Sequence, residues 1–238
     1  MSAFTTEELQ RYSRQYMMDE IGMAGQVKIK QAKVLVVGAG GLGCPALQYL
    51  AAAGVGTIGI VDFDKVERNN LHRQILYTPA DIGRYKAEAA AEKMIAANPN
   101  IHCRVFCEKL REENAATLIG EFDLVIDGSD NFTTRYLVND ICVKLDKPLV
   151  YGSILNFEGQ LAVFNYLGSK NLRHIYPEPP AAEDVPNCHE NGVLGVVPGI
   201  IGVMLSEQAL KIILELPFKP NNLIIIDFKN YQFTHLNY

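Results

Sequence analysis

The sequence predicts an α/β protein: a Rossmann-like, doubly wound, largely parallel sheet with an antiparallel C-terminal extension. Three observations lead there. Lys33-Val34-Leu35-Val36-Val37 is a short apolar run followed at once by Gly38-Ala39-Gly40-Gly41-Leu42-Gly43 and an Ala-rich segment. That is the order of a buried strand, a tight turn and a helix. Strand-like and helix-like segments then alternate to about residue 150, as right-handed crossovers between parallel strands require. Beyond that point strand-like runs lie close together, as in hairpins.

The elements follow in order. Thr5 and Glu8 have the spacing of a capping box and open a helix over 6–21. Arg11 and Arg14, three residues apart, share a face of it. Lys33–Val37 is the first strand and Thr57–Val61 the second. Tyr85–Ala97 reads as a helix with Ala87, Ala90, Ala91 and Met94 inward. His102–Cys107 alternates as a strand, and Leu124–Ile126 is another buried one. Asn131–Leu145 is a helix, Leu149–Ile154 and Gln160–Tyr166 are strands, and Val193–Leu214 is mostly helix. Asn222–Phe228 and Tyr231–His235 close the chain as a hairpin.

The chain has 238 residues, 48% hydrophobic and 21% charged, enough for one large core. It is expected to be a single domain over 1–238, with a nucleotide-binding half at 33–150 and a second half at 151–238. The stretch Pro177–Asn187, rich in Pro, Ala and acids, reads as a crossover loop within that second half. The net charge of −5 argues against nucleic-acid or anionic-membrane partners. The first residues carry acids and arginines rather than an apolar signal, and the run Gly192–Leu205 is shorter than the about 18 residues of a bilayer span. A cytoplasmic protein is expected. Five scattered cysteines without a CxxC pair suggest no disulfide framework.

The chemistry begins at the glycine turn. Gly38, Gly40, Gly41 and Gly43 sit between a strand and a helix, where backbone N–H groups approach phosphate at a helix N-terminus. Asp62 ends the second strand, where an acid bonds a ribose hydroxyl. Thus far the ligand is NAD or ATP. Asp64, Asn70, Arg73, Gln74, Lys86 and Asp130 follow. Hydride transfer needs no cations here, whereas nucleotidyl transfer builds negative charge on phosphate and depends on them. Arg73 can donate bidentately to phosphate, and Lys86 opens a helix, where a cation is a poor partner for the dipole. Asp130 lies past the end of the Leu124–Ile126 strand, at the edge where such sheets bind ligands, and an exposed carboxylate there suits Mg²⁺. Taken singly, Arg73 and Lys86 are also ordinary surface charges, and Asp130 or Asn131 an ordinary helix N-cap.

GAGGLGC, VDFDKVERNNLHRQ, GRYKAE, DGSDN, GQLAVF and NCHENGVLG together resemble the ThiF/MoeB/HesA family, bacterial relatives of ubiquitin-activating enzymes. The similarity runs from about Arg11 to the last residue. It implies an adenylyltransferase that uses ATP and Mg²⁺ to adenylate the C-terminal Gly-Gly carboxylate of a ubiquitin-like sulfur-carrier protein. The pathway implied is molybdopterin or thiamine biosynthesis, and the second half would bind the carrier. It also implies a homodimer in which Arg14 enters the partner's ATP site; the residues alone make Arg14 a solvated helix face. Gly41 matches the phosphate-loop glycine, Asp62 the ribose binder, Asn70, Arg73, Gln74 and Lys86 the phosphate-handling set, and Asp130 the Mg²⁺-linked aspartate. Cys188 matches a cysteine that in some members bonds covalently to the carrier. The neighbouring His189 and a following helix start favour a reactive thiol, and a spectator cysteine is the alternative. Many relatives bind zinc through two CxxC pairs. Asn171 and His174 stand where the first would fall, and no zinc is expected. The competing functions are an NAD-dependent dehydrogenase and a non-catalytic binding module for a ubiquitin-like protein.

Overall fold

The computed structural model describes residues 4–180 and 192–238. Three short helices precede the sheet: α1 (Thr6–Arg11), α2 (Ser13–Tyr16) and α3 (Gly22–Gln31). Then follow β1 (Lys33–Val37), α4 (Gly43–Ala53), β2 (Thr57–Val61), α5 (Lys86–Ala97), β3 (His102–Phe106), α6 (Glu112–Gly120), β4 (Leu124–Asp127) and α7 (Phe132–Lys144). The second half holds β5 (Leu149–Leu155), β6 (Glu158–Phe164), α8 (Val196–Ile213), β7 (Asn222–Asp227) and β8 (Gln232–Asn237).

The strands form one sheet in the order β3-β2-β1-β4-β5-β6-β7-β8. The pairs from β3 to β5 are parallel and those from β5 to β8 antiparallel. The fold class expected from the sequence is therefore observed. Both faces of the parallel part are covered, which is why β1 reads as a continuous apolar run. Val34 and Val36 pack on one face with Leu47, Leu50 and Leu205. Leu35 and Val37 pack on the other with Ile119, Phe122 and Val138. The strand order reverses between β1 and β4, so the loops leaving those two strands part there and open a crevice.

The single helix expected over 6–21 is instead broken. Its capping box is there: Glu8 N–H donates to Thr5 Oγ1 at 3.2 Å and Thr5 N–H to Glu8 Oε2 at 2.9 Å. The break falls at Tyr12, whose φ of −95° and ψ of 8° leave the helical region. Its ring is buried, and its hydroxyl accepts from the buried Asn98 amide at 2.8 Å. Burying that ring outweighs the one helical turn forgone. Arg11 and Arg14 consequently do not share one helix. Arg11 donates to the Ala97 carbonyl at 3.1 Å, and Arg14 lies exposed on α2.

The helix α8 is long and apolar enough to cross a membrane by length and composition. Its buried residues Val197, Ile201, Leu205 and Ala209 follow a helical period and cover the sheet.

Candidate nucleotide site

The crevice holds a cavity of about 1010 Å³. Its floor is the turn after β1. Gly38 has φ +90°, and a Cβ there would come within 2.8 Å of the Gly128 carbonyl oxygen in the turn after β4. At Gly43 a Cβ would overlap the Gly38 carbonyl oxygen. These two glycines let the β1 turn close on itself and lie against the β4 turn. Gly38, Gly40 and Gly41 line the cavity, while Gly43 is buried beneath it.

Asp62 stands at the end of β2 and is buried. Its Oδ2 accepts the Ala39 N–H and its Oδ1 the Asp64 N–H, both at 2.8 Å. Burial pushes its carboxyl above the ordinary carboxylate range, with the Lys86 ammonium and the two N–H donors opposing the rise. Asp64 and Lys86 form an ion pair, Nζ to Oδ2 at 2.8 Å, with the lysine side chain only 8% exposed. The helix-opening position of Lys86 is thus tolerated through a fixed carboxylate partner. Arg73 is held by its own turn, Nη1 donating to the Asn69 carbonyl at 2.9 Å. Gln74 is buried and its Oε1 has no hydrogen-bond partner among the described residues. Asp130 is exposed at the far rim.

Ten of the residues expected from the sequence line this one cavity: Gly38, Gly40, Gly41, Asp62, Asp64, Arg73, Gln74, Lys86, Asp130 and Asn131. Asn131 is also the N-cap of α7, its Oδ1 accepting the Thr134 N–H at 2.9 Å. Asn70 does not line it. Its Oδ1 accepts the Glu67 N–H at 3.1 Å, so its amide shapes the turn that presents Arg73. Arg14 is outside the cavity of its own chain. Cys188 lies outside the described residues.

The cavity continues from Asp130 along β5 and β6, the half that the resemblance assigns to the carrier; of its lining on those two strands, only Gln160 falls in a quoted motif. Arg135, Tyr136, Tyr151, Ser153, Gln160 and Tyr176 line it. The hydroxyls of Tyr151 and Tyr176 approach Gln160 Oε1 at 3.5 and 3.3 Å. The buried Arg135 guanidinium lies 5.0 Å from the Tyr151 ring centroid and donates through Nη2 to the Ser129 carbonyl at 2.8 Å. It so braces the turn that ends in Asp130. Arg135 follows Asp130 by five residues, on the first turns of α7. That placement was the available signal, but only the sheet order reveals which side of the crevice it faces.

A glycine turn, an acid just past the neighbouring strand and two cations lining one cavity are the layout of a nucleotide-binding α/β domain. The chain belongs to the ThiF family, whose model matches residues 12–238. The sulfur carrier protein adenylyltransferase of Thermus thermophilus is 48% identical over 216 residues, covering 89% of this chain and 80% of that protein. The probable adenylyltransferase/sulfurtransferase MoeZ of Mycobacterium tuberculosis is 50% identical over 217 residues, covering 89% of this chain and 55% of the other. The chain spans about half the length of several curated relatives it matches, the MoeZ and MOCS3 proteins. Escherichia coli MccB, solved with ATP, shares the fold with a TM-score of 0.80 at 21% identity, covering 95% of this chain and 71% of that one.

Proposed function

We propose that this chain uses ATP to adenylate the C-terminal Gly-Gly carboxylate of a ubiquitin-like sulfur carrier, releasing pyrophosphate, in molybdopterin or thiamine biosynthesis. The observation that carries it is the convergence of the glycine turn, Arg73, Lys86 and Asp130 on one cavity that runs on along β5 and β6. A dehydrogenase would leave those cations without a task, and a non-catalytic module would not need them. Relatives named as adenylyltransferases, at 48–50% identity, support the same reading.

The carrier's carboxylate is ionised at neutral pH. Its oxygen forms a bond to the α-phosphorus as the bond from that phosphorus to the departing pyrophosphate oxygen breaks. No protein nucleophile is needed. Arg73 and Lys86 stabilise the charge on the phosphates, and the fixed turns position both substrates. Asp130 fits a Mg²⁺ ion. It is a single exposed carboxylate at the rim, and among the described residues no cluster of three or more acidic, His or Cys side chains could hold a metal unaided. A hard cation sharing its shell with phosphates and water needs no more. When bound, Mg²⁺ supplies neutralising charge to the phosphates.

The same reading assigns a homodimer in which Arg14 completes the partner's site. Arg14 makes no hydrogen bond or ion pair among the described residues. No structural zinc is proposed. Asn171 caps the turn containing His174, accepting the Arg173 N–H at 3.0 Å; stoichiometric zinc on metal analysis would contradict this. The functional test is ATP–pyrophosphate exchange dependent on a recombinant ubiquitin-fold protein ending in Gly-Gly. Exchange without that protein, or none with any such protein, would sink the proposal.

A further inference from the structure

Three separate segments meet beneath the cavity: the glycine turn after β1, the stretch carrying Arg73 and Gln74, and the start of α5 with Lys86. Tyr77 belongs to the second, its N–H donating to the Gln74 carbonyl at 3.1 Å. Its ring is buried, and its hydroxyl points at two carbonyls from the other two segments: Ala39 O at 2.8 Å and Lys86 O at 3.2 Å. From Ala39 the connections return to Lys86 by another route. Ala39 N–H donates to Asp62, Asp62 accepts from Asp64 N–H, and Asp64 takes both the N–H and the Nζ of Lys86 at 2.8 Å. Tyr77 closes a ring of hydrogen bonds that passes through the glycine turn, Asp62, Asp64 and Lys86.

We infer that Tyr77 is a positioning residue that holds the glycine turn, the Arg73–Gln74 segment and Lys86 as one rigid unit for phosphoryl chemistry. This rests on the adenylation reading above. Its hydroxyl lies under the turn, and Tyr77 is not among the residues lining the cavity, so its role is to position rather than to touch. The single phenolic proton is shared between the two carbonyls as a three-centre bond, more closely with Ala39 O than with Lys86 O, and this has a specific geometric effect. It fixes the spacing between the N–H groups that face phosphate and the ammonium that faces it from the other side. Displacement of either by a fraction of an ångström weakens charge stabilisation in the transition state more than ground-state binding.

The variant Tyr77→Phe keeps the buried ring and removes only the hydroxyl. The Ala39 carbonyl keeps a weaker donor, Cys44 Sγ at 3.3 Å. Carrier-dependent exchange in this variant should show kcat lowered by about tenfold with KM for ATP within about threefold of the parent. Replacing Tyr77 by para-aminophenylalanine, which restores a donor, should recover kcat to within about twofold. A folded Tyr77→Phe variant with parental kcat, or one changed in KM alone, would overturn the inference. Amide hydrogen exchange on the unsubstituted, nucleotide-free protein decides it independently, including if Tyr77→Phe fails to fold. The segments 38–43, 70–77 and 86–89 should open with one common free energy, whereas protection factors differing by more than about tenfold between them would overturn it. Absence of pyrophosphate exchange in the parent protein would strike the adenylation reading instead, and the hydrogen-exchange result would still stand or fall alone.

Discussion

Lys86 is joined to Asp64 twice, by its ammonium at 2.8 Å and by its backbone N–H to the Asp64 carbonyl at 2.8 Å. The pairing fixes both the start of α5 and the direction of a side chain that combines positive charge with deep burial. Two charges on one lysine site, one carboxylate and one incoming phosphate, must share it, so the lysine is oriented before nucleotide arrives.

The first prediction follows. Lys86→Met keeps the aliphatic stem and should fold, and Arg73→Ala and Asp130→Ala alter side chains that are partly or fully exposed and should leave stability within about 0.5 kcal/mol. Each should lower carrier-dependent pyrophosphate exchange by roughly 10²–10³-fold. Exchange within a fewfold of the parent in any of them would remove that residue from the site.

The second contrasts two glycines of one turn. Gly43→Ala forces a Cβ onto the Gly38 carbonyl oxygen and should cost about 3 kcal/mol or more, a fall of roughly 6–12 °C in Tm. At Gly40 the nearest atom to a Cβ is Gln74 Nε2, at 3.7 Å. Gly40→Ala should therefore keep its Tm and weaken ATP binding, because the methyl group enters the cavity. Calorimetry and ATP titration together read both; equal Tm losses would contradict the contrast.

The third concerns acid stability. Asp81 is buried beneath the turn before α5. Its carboxylate takes the Thr78 N–H and hydroxyl at 2.8 and 2.9 Å and is paired with Arg84 and Lys93. Burial alone would raise its carboxyl, but the Thr78 donors and Lys93 outweigh it and hold it below the ordinary value of 3.8. A folded pKa below the unfolded one stabilises the protein above that ordinary value, and the benefit is lost as pH falls through the folded pKa. At pH 6 Asp81→Asn should be less stable than the parent by about 1–3 kcal/mol. The gap should shrink once pH falls below 3.8 and through the lower folded-state pKa. A gap that persists undiminished in acid would contradict this.

The fourth concerns Arg14. Mixed Arg14→Ala and Asp130→Ala subunits would place one intact site in each heterodimer. Random exchange should therefore restore about a quarter of the parental activity. No recovery after confirmed subunit exchange would argue that Arg14 acts elsewhere.

The sequence and the structure agree most where burial alone dictates the pattern. β1, β2 and β4 are apolar runs because both faces of the sheet are covered, and the glycine turn is legible because its steric demands are local. The helix α3 carries Gly22 and Gly25 and has no clear apolar stripe, since it is fixed by the close approach of Gly25 to Leu214 at the end of α8 rather than by its own period. α6, missed as well, buries only Ala115, Leu118 and Ile119, too few to show a period against its flanking acids. Within the site, charge-bearing residues near the glycine turn were legible. Tyr77, Arg135 and Tyr151 were not, because each reads locally as core or surface. Only the pairing of β4 with β5 and the fold of the 70–77 stretch reveal what they face.

The measurement closest to the central claim is mass spectrometry of a recombinant ubiquitin-fold carrier ending in Gly-Gly after incubation with this chain, ATP and Mg²⁺. The expected result is an AMP adduct on the carrier's terminal carboxylate, formed by the parent protein and by Cys188→Ala alike, and formed roughly 10²–10³-fold more slowly with Arg73→Ala. An unmodified carrier under conditions where the protein binds ATP would contradict it.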